Sequence, residues 1–203
     1  MVILAVLALV LGVLVGTFDV QNFLLDALVS NKDLVLYLLM FSVGMSIGLH
    51  KGIIKKIKEY HVKILIIPAG IIVGTLLGGV LLSMVTKYNV GESTSVVSGL
   101  GWYSLAGVTI GNLAGAQLGS IAFLSNLMRE IFSFFTIPFI AKHFNYYSCI
   151  APAAATSEDT THTTLPMMMK YTNEETVVLS VINGVLCSAV VPVLIPLCYQ
   201  LKF

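Results

Sequence analysis

The sequence predicts an all-α integral membrane protein with about five transmembrane helices and two opposed re-entrant or discontinuous segments. Three observations carry this. Of its 203 residues, 57% are hydrophobic and 10% are charged, and the mean hydropathy is +0.95. Soluble domains carry about 25% charged residues, so lipid is the solvent for most of this chain. Apolar runs long enough to cross a bilayer recur along it. Two further apolar stretches are interrupted by small, hydroxyl-bearing and helix-breaking residues. The net charge of +1 gives no basis for nucleic-acid binding. The length suits one domain, with residues 1–61 as scaffold-like spans and a basic loop and residues 62–203 as the functional core.

A membrane helix needs about 20 apolar residues, within a range of about 17–25. Residues 1–18, 34–49, 62–86, 118–141 and 175–200 meet or approach this. The first run, MVILAVLALVLGVLVG, has neither a basic leading region nor an A-x-A-like cleavage site, so it reads as a retained span. The second is short, and Gly44 and Gly48 in it suggest close packing. Glycines at four-residue spacing (Gly70, Gly74, Gly78; Gly111, Gly115, Gly119) are expected to let helix backbones approach closely. Cys149, Cys187 and Cys198 lack paired spacing and read as small buried hydrophobes.

Orientation follows from the basic residues. The loop over residues 50–63, HKGIIKKIKEYHVK, holds five lysines, and Lys and Arg favour the cytoplasmic side. The N-terminus is then inside, and the loop with Asp19, Asp26 and Asp33 is outside. The interrupted stretches are residues 96–115 (VVSGLGWYSLAGVTIGNLAG) and 149–166 (CIAPAAATSEDTTHTTLP). Irregular backbone at membrane depth is tolerated only where protein buries it or water lines it. If both are re-entrant, seven lysines fall inside and three outside, with the C-terminus outside; full crossing of both weakens that bias. A span, a broken segment and a span then occur twice around a shared middle span. The broken segments enter from opposite faces, an arrangement that points to the binding site of a secondary transporter.

Arg129 and Glu130 interrupt the fourth span. Adjacent helical residues point about 100° apart and do not pair on one face. Asn126 and Ser133 share the face of Glu130, and Ser125 lies one turn before Arg129. A charge at the bilayer centre costs about 2.5–3.5 kcal/mol on insertion scales, so such residues face a cavity or the bundle interior. The bland reading of Glu130 is a structural ion pair; that of Arg129 is a fixed counter-ion or a snorkelling group. Glu158 and Asp159 sit among hydroxyls, including Thr156 and Ser157. Hydroxyls and free carbonyls can coordinate a cation or an ammonium group. Two close carboxylates do not both ionise readily, as proton coupling requires. A solvated loop is the alternative there. His162 is either a pH switch or a polar loop residue. Trp102 and Tyr103 are either an interfacial anchor or, beside Gly101 and Ser104, the tip of a re-entrant segment near substrate. No P-loop, H-E-x-x-H or G-x-S-x-G motif occurs, and no enzyme activity, metal or cofactor is expected.

The stretches SGLGWYSLAGVTI, FLSNLMREIFSFFTIPFIAK and AAATSEDTT…TLP, in this order and spacing, resemble the bacterial LysO-type lysine exporter family over essentially the whole chain. The resemblance implies a secondary transporter of the prokaryotic inner membrane that expels L-lysine. The expectation is export of L-lysine or a related cationic amino acid, coupled through the carboxylates to proton or cation entry; the alternatives are a transporter or channel for another small solute or ion, or a non-transporting membrane subunit. It places the family's intramembrane acidic pair on Glu130 and Asp159. Arg129, Asn126, Trp102, Tyr103, Ser104, Thr156 and Ser157 fall on the surrounding motif positions. The family's A-T-S-x-D-x-T-L-P is altered here: Glu158 is an extra acid, and three more residues precede Leu165. Longer family members carry about three further spans ahead of the matched region. A homo-oligomer, or a separate small membrane subunit, is the expected substitute for them.

Overall fold

In a computed structural model of the chain, the described residues are 2–18, 63–157 and 164–201, with isolated positions between 30 and 45. The expected span 34–49 for the most part, the basic loop before Lys63, and Glu158, Asp159 and His162 lie outside them. The regular secondary structure among the described residues is all helical, with no strand. Contacts divide the chain into residues 1–45 and 46–203.

The first unit contains α1 (Val2–Thr17), an uncharged apolar helix of 16 residues. At 1.5 Å per residue it is about 24 Å long.

The second unit holds α2 (Lys63–Val85), α3 (Val90–Val97), α4 (Tyr103–Ala114), α5 (Ala116–His143), the short α6 (Ile150–Ala153), α7 (Leu165–Tyr171) and α8 (Glu174–Tyr199). Residues 65–85 of α2, α5 and α8 are long and apolar enough to cross a membrane, and they match three of the expected spans.

Local chemistry fixes the boundaries. Asn89 caps α3 reciprocally with Glu92: its Oδ1 accepts from the Glu92 amide at 2.8 Å, and Glu92 Oε2 accepts from the Asn89 amide at 3.0 Å. This cap starts the first broken segment at Val90, earlier than the apolar pattern suggested. Lys142 and His143 close α5, and Glu174 and Glu175 open α8 behind the Asn173 cap, charges that complement the helix dipole at each end. Gly115, with φ +91°, joins α4 to α5 in a conformation that L side chains rarely adopt.

Beyond Gly115, α4 and α5 run back to back. A Cβ at Gly119 would lie 2.6 Å from Gly111 Cα, so only glycine allows this approach. Tyr103 and Phe123 meet edge to face further along, at 5.2 Å. The other glycine stripe behaves differently. A Cβ at Gly70, Gly74 or Gly78 would meet no described atom within 4 Å; the close position is Gly79, against Val97 and Thr94. One residue is 100° of helix rotation, so the expected stripe on α2 points away from this contact.

Contacts along α8 give the direction of its neighbours. Leu179 and Ile182 join Ile137, Cys149, Ile150 and Met168 in a buried cluster. Ser188 reaches Ala155. Cys198 lies by Gly91, whose Cβ would sit 3.2 Å from the Cys198 carbonyl. From Gly119 through Asn126 to Ile137, α5 therefore runs antiparallel to α8. The α3–α4 hairpin begins and ends near the C-terminal end of α8. The second hairpin begins at the 3₁₀ turn Tyr146–Cys149, and its returning arm α7 buries Leu165 and Met168 near the N-terminal half of α8.

Candidate functional site

The two hairpins approach from opposite ends and touch at their tips. The Ala155 amide donates to the Leu100 carbonyl at 3.3 Å, and a Cβ at Gly101 would lie 3.0 Å from Thr156 Cγ2. Among the described residues, only Leu100 (φ 52°) and Ala154 (φ 40°) are non-glycine residues with positive φ. There is one at each tip, and both are fully buried. Such conformations cost about 1–3 kcal/mol each and persist where the surroundings over-determine them.

The surroundings here are two asparagines. Asn126 on α5 is 3% exposed. Its Oδ1 accepts from the Gly101 amide at 2.9 Å, and its Nδ2 donates to the Val96 and Ala122 carbonyls at 2.8 and 2.9 Å. Asn183 on α8 is 2% exposed. Its Nδ2 donates to the Ala154 carbonyl at 3.2 Å, and Ser188 Oγ donates to the Ala155 carbonyl at 3.4 Å. Each amide lies about three turns into the long helix that follows its hairpin. A chain break leaves backbone groups that must find partners when buried, and these side chains supply them. Thr156 closes its own turn, donating to the Ala153 carbonyl at 2.6 Å and meeting Thr164 Oγ1 at 3.0 Å.

Glu130 follows Asn126 by one turn on the buried face Asn126–Glu130–Ser133–Ile137 and is 2% exposed. Ser133 Oγ donates to its carbonyl at 2.5 Å. The Tyr103 phenol lies within electrostatic reach of the Glu130 carboxylate. Arg129, turned about 100° away, faces a cavity of about 360 Å³ lined by Thr75, Gly78, Leu82, Val97, Ser125, Asn126 and Arg129. Its Nη2 donates to the Ala151 carbonyl at 3.4 Å.

The structure thus gathers Asn126, Glu130, Trp102, Tyr103, Ser104 and Thr156 around the tip contact. Trp102 is the N-terminal cap of α4, at the tip rather than at the outer end of an arm. The backbone of Ser157 ends the second 3₁₀ turn. Glu158 and Asp159 lie outside the described residues. Asn183 and Ser188 went unnoticed in the sequence. Their signal is the polar series Thr176, Ser180, Asn183 and Ser188, buried along one side of α8.

Long apolar helices separated by two broken hairpins define a multi-pass helical membrane protein. Within that class the chain belongs to the lysine exporter LysO family, whose profile matches residues 6–199. The family is one of exporters, not of enzymes. The chain is 27% identical over 164 residues to the lysine exporter LysO of Escherichia coli strain K12, covering 81% of this chain and 53% of that protein. It is 32% identical over 161 residues to a putative lysine exporter of Haemophilus influenzae, covering 79% of this chain and 80% of that one. The chain therefore spans about half the length of the Escherichia relative. No solved structure matches it.

Proposed function

We propose that this protein exports a cationic amino acid, in the first place L-lysine, across the prokaryotic inner membrane as a secondary transporter. The observation that carries the reading is the contact between two oppositely directed hairpin tips beside the buried Glu130. Membership of the exporter family points to lysine as the substrate. Both of lysine's ammonium groups need counter-charge at membrane depth. Glu130 supplies one carboxylate and Asp159 the other. Inward movement of protons or another cation discharges the carboxylates and releases substrate on the far side, because a carboxylate that takes a proton no longer holds an ammonium group.

In this reading the α3–α4 hairpin is re-entrant from the outside and the second hairpin from the cytoplasm. The N-terminus is inside and the C-terminus outside, as the lysine distribution favours. Single cysteines placed at Ser104 and Ser157 test this: labelling from one face only, and from the same face for both, rules out the opposed hairpins. Function is tested with labelled lysine taken up by inverted vesicles with and without a pH gradient. Gradient-dependent accumulation is expected, and no accumulation by protein that is present in the membrane defeats the export reading.

Transport uses either a second copy of this chain or a separate membrane subunit of about 90 residues, the size of about three spans with loops. Co-purification of such a subunit supports the latter; transport in liposomes by this chain alone rejects it.

A further inference from the structure

The sequence contains a single arginine, and it lies in a membrane-length helix. Arg129 forms no ion pair with a described carboxylate, and the one hydrogen bond seen is the long contact to Ala151. A guanidinium carries five N–H donors in a rigid fork. Among the described residues most of that capacity is unspent, and holding a guanidinium so at membrane depth is costly. Its surroundings are an open cavity whose other walls combine the apolar Leu82 and Val97 with Gly78 and the polar Thr75, Ser125 and Asn126. The volume falls in the range of about 300–1,000 Å³ found for small-molecule sites. A Cβ at Gly78 would meet no described atom within 4 Å.

We infer that the Arg129 cavity is a carboxylate site, and that it binds the α-carboxylate of the transported amino acid. This rests on the amino-acid export reading above. The charges match: lysine presents two ammonium groups and one carboxylate, and the proposed Glu130 and Asp159 sites leave that carboxylate without a partner. The planar guanidinium binds a carboxylate in a two-pronged geometry that a lysine side chain lacks. Arg129 is one residue from Glu130 yet turned about 100° from it, so the guanidinium can face a substrate carboxylate without pairing with the Glu130 carboxylate. Asn126 lies on the cavity wall and also holds the first tip, which gives carboxylate binding a direct route to the hairpin contact.

The test is equilibrium binding to the purified full chain in detergent, with radiolabelled lysine displaced by unlabelled lysine or by 1,5-diaminopentane, which is lysine without its carboxylate. Wild type should prefer lysine by about 10- to 100-fold, the value of one charge-assisted pair. In Arg129→Gln the preference should shrink to within about 3-fold, and Arg129→Lys should fall between. Gly78→Leu, which adds bulk at the cavity wall and removes a helix-weakening glycine, should weaken lysine binding at least about tenfold. An unchanged preference in Arg129→Gln overturns the proposal, as does unchanged affinity in Gly78→Leu. Loss of co-purified phosphatidylglycerol in Arg129→Gln with the preference intact makes the cavity a lipid site and overturns it too. Carboxylate-dependent binding without transport upholds the site and defeats export; transport without Arg129-dependent preference does the reverse.

Discussion

The two hairpins solve the same problem with different chemistry. The first is built of two regular helices, α3 and α4, and turns through glycines; beyond Glu92, in its cap, it carries no charge of its own. The charges beside it come from the long helix that follows it: Glu130 lies within reach of Tyr103, and Arg129 shares a cavity with Val97 while reaching the second hairpin at Ala151. The second is built of short helical and 3₁₀ pieces, and its own sequence carries Glu158 and Asp159. The helix that follows it, α8, is uncharged beyond Glu175. Asn126 grips the first tip with short bonds on both sides of the break, whereas Asn183 and Ser188 hold the second through two longer bonds to consecutive carbonyls. The difference teaches that the two tips are not equivalent: one is gripped by short bonds from a single asparagine, and the other lies in a segment whose sequence carries its own acids.

The largest effect is expected where the halves share a task. Glu130→Gln or Asp159→Asn should each reduce lysine export in inverted vesicles to background while the protein stays in the membrane. Export by the double amide variant at wild-type level would falsify the acidic-pair mechanism. Next comes the clamp. Asn126→Ala leaves the Gly101 amide and the Val96 carbonyl without their side-chain partner and should cost about 1–3 kcal/mol. Asn183→Ala should cost less, about 0.5–1.5 kcal/mol. Thermal unfolding in detergent would reverse the comparison if Asn183→Ala melted lower. The hairpin hinge comes third: Gly119→Ala overpacks the Gly111 contact and should cost about 1–3 kcal/mol. The smallest effect belongs to Gly70→Ala on the open stripe of α2, expected within about 0.5 kcal/mol of wild type. A larger loss there would place a packing partner on that face.

Much of this was legible in the sequence. Residues 62–86, 118–141 and 175–200 were expected as spans, and the helices Lys63–Val85, Ala116–His143 and Glu174–Tyr199 fall within two residues of those limits. Both broken segments were expected and both are broken. The buried face that Glu130 shares with Asn126 and Ser133 is readable from helical spacing around the charge.

What the sequence by itself determined was therefore length, interruption and charge. Each is a sum over neighbours in the chain: the solvent is apolar over about 30 Å, and any uninterrupted apolar run of that length forms a helix there to satisfy its own backbone. Only the tertiary structure decided which face of each helix meets which neighbour. A membrane helix is apolar toward lipid and toward protein alike, so no amphipathic stripe marks its buried side. That is why the stripe Gly70, Gly74 and Gly78 does not by itself name its neighbour, whereas Gly79 meets Val97 and Thr94. It is also why Arg129 and Glu130, neighbours in the chain, part company: the first turns to a cavity, the second to the buried face beside the hairpin tips.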